Sequence, residues 1–140
     1  MAGVTLLELM AVVMVIGILG VIAVPSYRQY VMRAQRTDAK SALLQLATNQ
    51  ERFHLGNRTY GTVLQLQNAN LLGGTAGNAF SERGAYRITV PAANATTYTA
   101  TATPVTGGAF DMTGDAQCTA FSITAQGLRT ATGTAAASCW

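Results

Sequence analysis

The chain has one histidine, one tryptophan, two cysteines and three prolines in 140 residues, and only 11% of its residues are charged. Each shortage closes off a class of function. With His54 alone, neither a histidine-rich metal site nor a second imidazole base can be assembled. No Ser or Cys nucleophile stands with a plausible base, and no glycine-rich phosphate loop is present. Asp111 and Asp115, around Gly114, fall short of the ligand density of a calcium loop. The reading is therefore a protein that is not an enzyme, with no cofactor and no metal. No Lys or Arg precedes Arg28, so the basic region of a cleaved secretory signal is missing, and no A-x-A type end closes the apolar stretch.

What is present begins at the N-terminus. Gly3-Val4-Thr5-Leu6-Leu7-Glu8-Leu9 opens an apolar run that continues to Val24. Val4 to Val24 is about 21 residues, or roughly 31 Å of helix, which is the thickness of a bilayer core. Glu8 is the one carboxylate at the front of this segment. A charge left unpaired in a low-dielectric setting is costly, so an acid there calls for a partner. Gly17, Gly20 and Pro25 interrupt the run, and Pro25 removes a backbone donor, which predicts a kink near Ile22.

Past the run, Tyr27, Val31, Ala34, Ala39, Ala42, Leu46 and Phe53 recur at mostly three- and four-residue intervals. This predicts an amphipathic continuation of the same helix to about residue 55, stopped by Gly56-Asn57. Residues 56–84 read as a connecting loop with a possible short helix. From Ala85 the period changes to two. Residues 85–90 and 97–103 pair as a hairpin around Pro91-Ala92-Ala93-Asn94, 119–124 makes a third strand and 128–131 a fourth. The fold class is α+β: a long N-terminal helix, apolar in its first half, with its second half packed on a small antiparallel sheet spanning 85–131. Cys118 and Cys139 read as one disulfide bounding a C-terminal loop in an exported domain. The simple positive-inside count, with Arg28 and Arg33 after the span, points the other way. A basic leader missing from the start of the chain reconciles the two.

Arg28, Arg33, Arg36, Lys40, Arg52 and Arg58 face only Asp38 and Glu51 between Tyr27 and Tyr60. The ordinary reading is a solvated helix face, or basic residues beside a membrane surface. A nucleic-acid stripe is the lesser one, because no recognisable nucleic-acid motif accompanies the cations. Asn57-Arg58-Thr59 and Asn94-Ala95-Thr96 match the short N-glycosylation pattern.

The N-terminal motif Gly3 to Met10, followed by the apolar run, closely resembles that of type IV pilins and pseudopilins. Gln50-Glu51-Arg52-Phe53 with Asn57-Arg58-Thr59-Tyr60, and the Cys139-Trp140 ending, are similar to type IVa PilE-like pilins. The resemblance implies a leader at residues 1–3, a transmembrane and filament-core helix at 4–25, and a pilin globular domain at 26–140 with its disulfide-bounded loop at 118–139. It implies that a prepilin peptidase cuts between Gly3 and Val4 and methylates the new amine of Val4. Glu8 would then pair with that amine and set register during assembly, with Gly17, Gly20 and Pro25 loosening the helix. The implied partners are the inner membrane, the pilus assembly platform, other pilins and copies of itself in a helical filament, with DNA as a lesser candidate. The implied setting is the inner membrane and then an extracellular pilus serving adhesion, twitching motility or DNA uptake. A pseudopilin of a type II secretion or competence system is the alternative.

Overall fold

The computed structural model describes residues 5–107 and 111–140. The chain divides into two compact units, one ending at Arg33 and one covering Ala34–Trp140. Helix α1, Leu6–Asn57, contributes to both.

In the first unit the helix starts on Thr5. The Thr5 hydroxyl accepts the Glu8 backbone N–H at 3.2 Å, satisfying one of the orphan donors of the first turn. Helical structure is unbroken through Pro25, the one proline inside α1. The apolar side chains of this stretch are exposed: Leu7 is 79% exposed and Val21 77%. By length and composition the helix is able to cross a membrane, and none of its most apolar window is buried inside the protein. A soluble core helix would bury those groups, since each large apolar side chain gains about 1.5–3 kcal/mol on leaving water.

In the second unit α1 buries Gln35, Asp38, Ala39, Leu43, Leu46, Gln50 and Phe53. The buried stripe is therefore rotated from the expected one. Tyr27 is exposed, Val31, Ala34 and Ala42 are only half-buried, and three polar residues stand on the inward face. The expected loop at 56–84 holds two elements of its own. Helix α2, Val63–Asn68, opens with a capping box in which the Thr62 hydroxyl accepts the Gln65 N–H and the Gln65 side chain accepts the Thr62 N–H. Strand β1, Ala79–Phe80, adds an edge to the sheet six residues before the expected start at 85.

The sheet is antiparallel, in the order β1-β2-β3-β4-β5, with β2 at Tyr86–Ala93, β3 at Tyr98–Pro104, β4 at Ala120–Thr124 and β5 at Arg129–Thr132. The expected turn at 91–94 is displaced. Strand β2 runs on to Ala93 through a register shift between Thr89 and Ala92, and the turn falls on Asn94–Thr97. The shift accommodates Pro91, which has no N–H to give to the ladder. Period-two alternation places Tyr86, Ile88, Val90, Tyr98, Ala100, Ala102, Phe121 and Ile123 in the core. The opposite face carries Thr89, Thr99, Thr101, Thr103 and Ser122. The sheet and the second half of α1 together form the α+β arrangement expected from the sequence.

Candidate functional site

The C-terminal end of α1 and the turn joining β2 to β3 meet at one surface, although about forty residues separate them in sequence. Two hydrogen bonds and two ring contacts build it. His54 Nε2 donates to the Ala95 carbonyl at 3.0 Å, and because a carbonyl only accepts, the proton is on Nε2. The Tyr60 N–H donates to the Asn94 carbonyl at 2.9 Å. The His54 and Tyr60 rings stack with centroids 4.4 Å apart, and Tyr60 meets Tyr98 at 4.9 Å. Behind them a buried amide clamp fixes the chain as it leaves the helix. Gln50 donates to the Gly61 carbonyl at 2.6 Å and accepts the Gly61 N–H at 2.9 Å. Gly61 fits closely there: a Cβ would lie 3.1 Å from the Phe53 ring, which would have to give by a few tenths of an ångström.

Arg52 and Arg58, both exposed, flank His54 in the sequence at this end of the helix. Arg58 has φ 55, a left-handed conformation that usually falls to Gly or Asn at a helix end, and its N–H closes the last turn on the His54 carbonyl at 2.8 Å. The nearby acid, Glu51, accepts the Tyr60 hydroxyl at 3.1 Å. Burial, and next the bond to Glu51, push the Tyr60 phenol above its ordinary value. Burial, with Glu51 and Tyr60 nearby, pushes the Tyr98 phenol up to about 12. Both phenols stay neutral at physiological pH, so they offer this surface hydrogen bonds and stacking.

Of the other cations named from the sequence, those of the second unit are taken up by contacts within it. Arg28 and Arg33 lie in the first unit. Arg36 is given over to Asp115: its Nε donates to Oδ2 at 2.6 Å and its Nη2 to Oδ1 at 2.7 Å and to Gln117 at 3.0 Å. Lys40 lies over the Phe121 ring with its ammonium 6.0 Å from the centroid, and burial, followed by repulsion from Arg36, lowers its pKa. Arg87 lies over Phe80 and Arg129 over Trp140. The continuous cationic stripe suggested by the sequence is thus broken up by packing.

The acids around Gly114 form a structural joint. Asp111 caps a tight turn by accepting the Thr113 N–H at 2.9 Å and its hydroxyl. Burial raises the Asp115 carboxyl, but the Arg36 bond and charge, with the N–H groups of Cys118 and Gln117, outweigh it and hold the group below its ordinary value. No group of three metal-ligating side chains occurs among the described residues. Cys118 and Cys139 are joined in a disulfide, Cα to Cα 5.8 Å, and the loop between them folds back through Thr119–Thr132 and Ala135–Gln117 backbone bonds. Gly133, at φ 127, makes that return possible, since a Cβ would lie 2.2 Å from the Gln117 carbonyl oxygen.

Gly3 and Val4 lie outside the described residues. Glu8 sits in the first turn of α1, where the positive end of the helix dipole favours an acid. Gly17 and Gly20 have nothing within 4 Å of where a Cβ would be, so neither glycine is demanded by packing inside the chain. The sequence shows Arg52, His54 and Arg58 singly but not the contact of His54 and Tyr60 with Asn94 and Ala95, because no periodicity reports which turn a helix end will touch.

A comparison with curated proteins returned no match to the chain. A family model described as "Type IV minor pilin ComP, DNA uptake sequence receptor" matches residues 25–122, a stretch that contains every residue of the helix-end surface.

Proposed function

The chain belongs to the type IV minor pilin family, and on that premise we propose that it is a pilin subunit that takes DNA from the cell exterior through its helix-end surface. The observation that carries the reading is the family match across residues 25–122, which includes Arg52, His54, Arg58, Tyr60 and the 94–97 turn. The chemistry of that surface supports it. Two exposed guanidinium groups, with the nearby carboxylate engaged by Tyr60, suit a phosphate backbone.

The N-terminal helix has two successive roles in this proposal. It holds the subunit in the inner membrane, then packs among the helices of other pilins in an extracellular filament. Its exposed apolar side chains support both, because each setting removes them from water. A prepilin peptidase cuts between Gly3 and Val4 and methylates Val4. The Glu8 carboxylate then pairs with a Val4 amine, its own or a neighbour's, and Gly17, Gly20 and Pro25 permit local unwinding as the helix leaves lipid. The leader, anchor and globular divisions at 1–3, 4–25 and 26–140 belong to the same proposal. Adhesion and twitching motility depend on the same filament. The description of the matched family favours a pilus over the secretion pseudopilin alternative.

The test uses the full chain in detergent micelles, titrated with duplex DNA over a range of salt. The proposal expects binding whose log K falls linearly with log salt, each phosphate contact contributing about −0.9 to the slope. In cells, deleting the gene is expected to reduce DNA uptake, with uptake restored by the intact chain. Absence of duplex binding even at low salt, with uptake unchanged in the deletion, refutes it.

A further inference from the structure

We infer that Leu55 is a wedge that enters the minor groove of bound duplex DNA and bends it, an inference that rests on the DNA-binding reading above. Leu55 is 84% exposed, more than any other large apolar side chain among the described residues. In the globular unit the next is Leu128 at 62%, while Leu64 and Phe80 are 48% and 46% exposed. Single exposed leucines are common on protein surfaces and need no explanation by themselves. The setting of this one is what matters. Arg52 lies one helical turn earlier, so its side chain and that of Leu55 are neighbours on the helix surface. Arg58 follows three residues later, where the chain turns into the left-handed region. Gly56 adds no side chain beside Leu55, and its Cβ position meets nothing within 4 Å.

An apolar tip with a cation on either side matches the chemistry of proteins that bind the minor groove. These place Arg or Lys against the groove and its phosphates, and insert Leu, Ile, Phe or Met between base steps, unstacking and kinking the duplex. The helix dipole accounts for cations at the end of α1 but gives no reason for an uncovered leucine between them. The left-handed Arg58 supports the same view. A non-glycine residue held there costs on the order of 1–3 kcal/mol, and such positions gather where function repays the strain. Charge complementarity therefore selects a polyanion as the occupant over a neutral protein face.

The inference is tested with the full chain in detergent, using duplexes end-labelled for energy transfer to read bending and carrying 2-aminopurine to read unstacking. Leu55→Ala is expected to keep the salt slope of the parent while losing both the bend and the 2-aminopurine signal. Leu55→Met, still apolar and long, is expected to retain both. Arg52→Ala and Arg58→Ala are each expected to lower the slope by about one. Because Leu55 is exposed, Trp140 fluorescence is expected to stay at the parent value and confirm that the fold is intact. If Leu55→Ala bends and unstacks the duplex as the parent does, the wedge is refuted while DNA binding stands. If the parent binds no duplex at all, the functional reading itself has failed and the wedge falls with it. If Leu55→Ala leaves bending intact but lowers incorporation into filaments, the residue is a contact between subunits and the inference is overturned.

Discussion

Replacing Arg36 with Met is expected to damage the globular unit more than removing the partner acid. The two ends of the bond differ in their access to water: the Asp115 side chain is 2% exposed and that of Arg36 14%. Removing the guanidinium strands a carboxylate that has almost no solvent and keeps only the N–H groups of Gln117 and Cys118, at 3.2 and 3.3 Å. Breaking a buried pair from one side costs about 3–5 kcal/mol. The two remaining N–H donors soften this, so Arg36→Met is placed at about 3 kcal/mol. Asp115→Asn leaves a cation that reaches water and an amide that still accepts, for about 1–2 kcal/mol. Arg36→Met with Asp115→Leu leaves no stranded charge and is expected to lose less than Arg36→Met alone.

The pH dependence gives a second check on the same pair. In the parent the Asp115 carboxyl is held below its ordinary value of 3.8, so its contribution is present above that value and is lost as pH falls through the lower folded one. Without Arg36, burial dominates and the folded value rises, so the variant is penalised at neutral pH and relieved as the acid protonates. The stability gap between parent and Arg36→Met therefore narrows on going from pH 7 towards pH 3. Urea unfolding followed by Trp140 is the assay. It is the one tryptophan in the chain, its indole donates to the Thr130 carbonyl at 2.6 Å, and its ring meets Phe121 edge-on. A loss under about 0.5 kcal/mol for Arg36→Met, the range of ordinary surface changes, or a gap that widens in acid, would refute the reasoning.

Two further outcomes follow from the same framework. Cys118→Ser with Cys139→Ser opens a loop with a sequence separation of 21 and is expected to cost about 3 kcal/mol in urea unfolding, with the Trp140 signal lost first; an unchanged midpoint would show that the backbone bonds alone hold the loop. Glu8→Val should leave membrane insertion unaffected, since it removes the one acid of the span, but lower recovery of the subunit in sheared filaments; normal incorporation would dismiss the pairing with the Val4 amine.

What was legible in the sequence depended on whether a signal was local. The apolar run, the change of period from helix to strand at Ala85 and the late cysteine pair are local patterns, and the fold class follows from them. The buried stripe of α1 was misplaced because Gln35, Asp38 and Gln50 stand on it, and apolar periodicity does not count a polar residue as buried. Two of the three are held by groups elsewhere in the chain, whereas the Gln35 Oε1 is buried with no hydrogen-bond partner among the described residues. Gln50 clamps Gly61, and Asp38 accepts the Arg83 N–H at 3.3 Å. The Arg36–Asp115 bond spans 79 residues, and a solitary Arg in a cationic stretch gave no hint that it had a partner near the C-terminus.

That bond also changes how the cationic stretch is to be understood. Counted along the chain, Arg36 and Lys40 belong to the same series as Arg52 and Arg58, and the whole series looks like one solvated face. In the folded protein Arg36 joins the helix to the segment that leads into the disulfide loop, and Lys40 covers an aromatic ring of β4. Arg52 and Arg58, at the end of the helix, are exposed instead, and their charge is open to a partner outside the chain. Net charge would have ranked these residues equally. The separation between structural and available cations arises from burial and geometry, and it is why the proposed contact with DNA is placed at the end of the helix, where Leu55 is also uncovered.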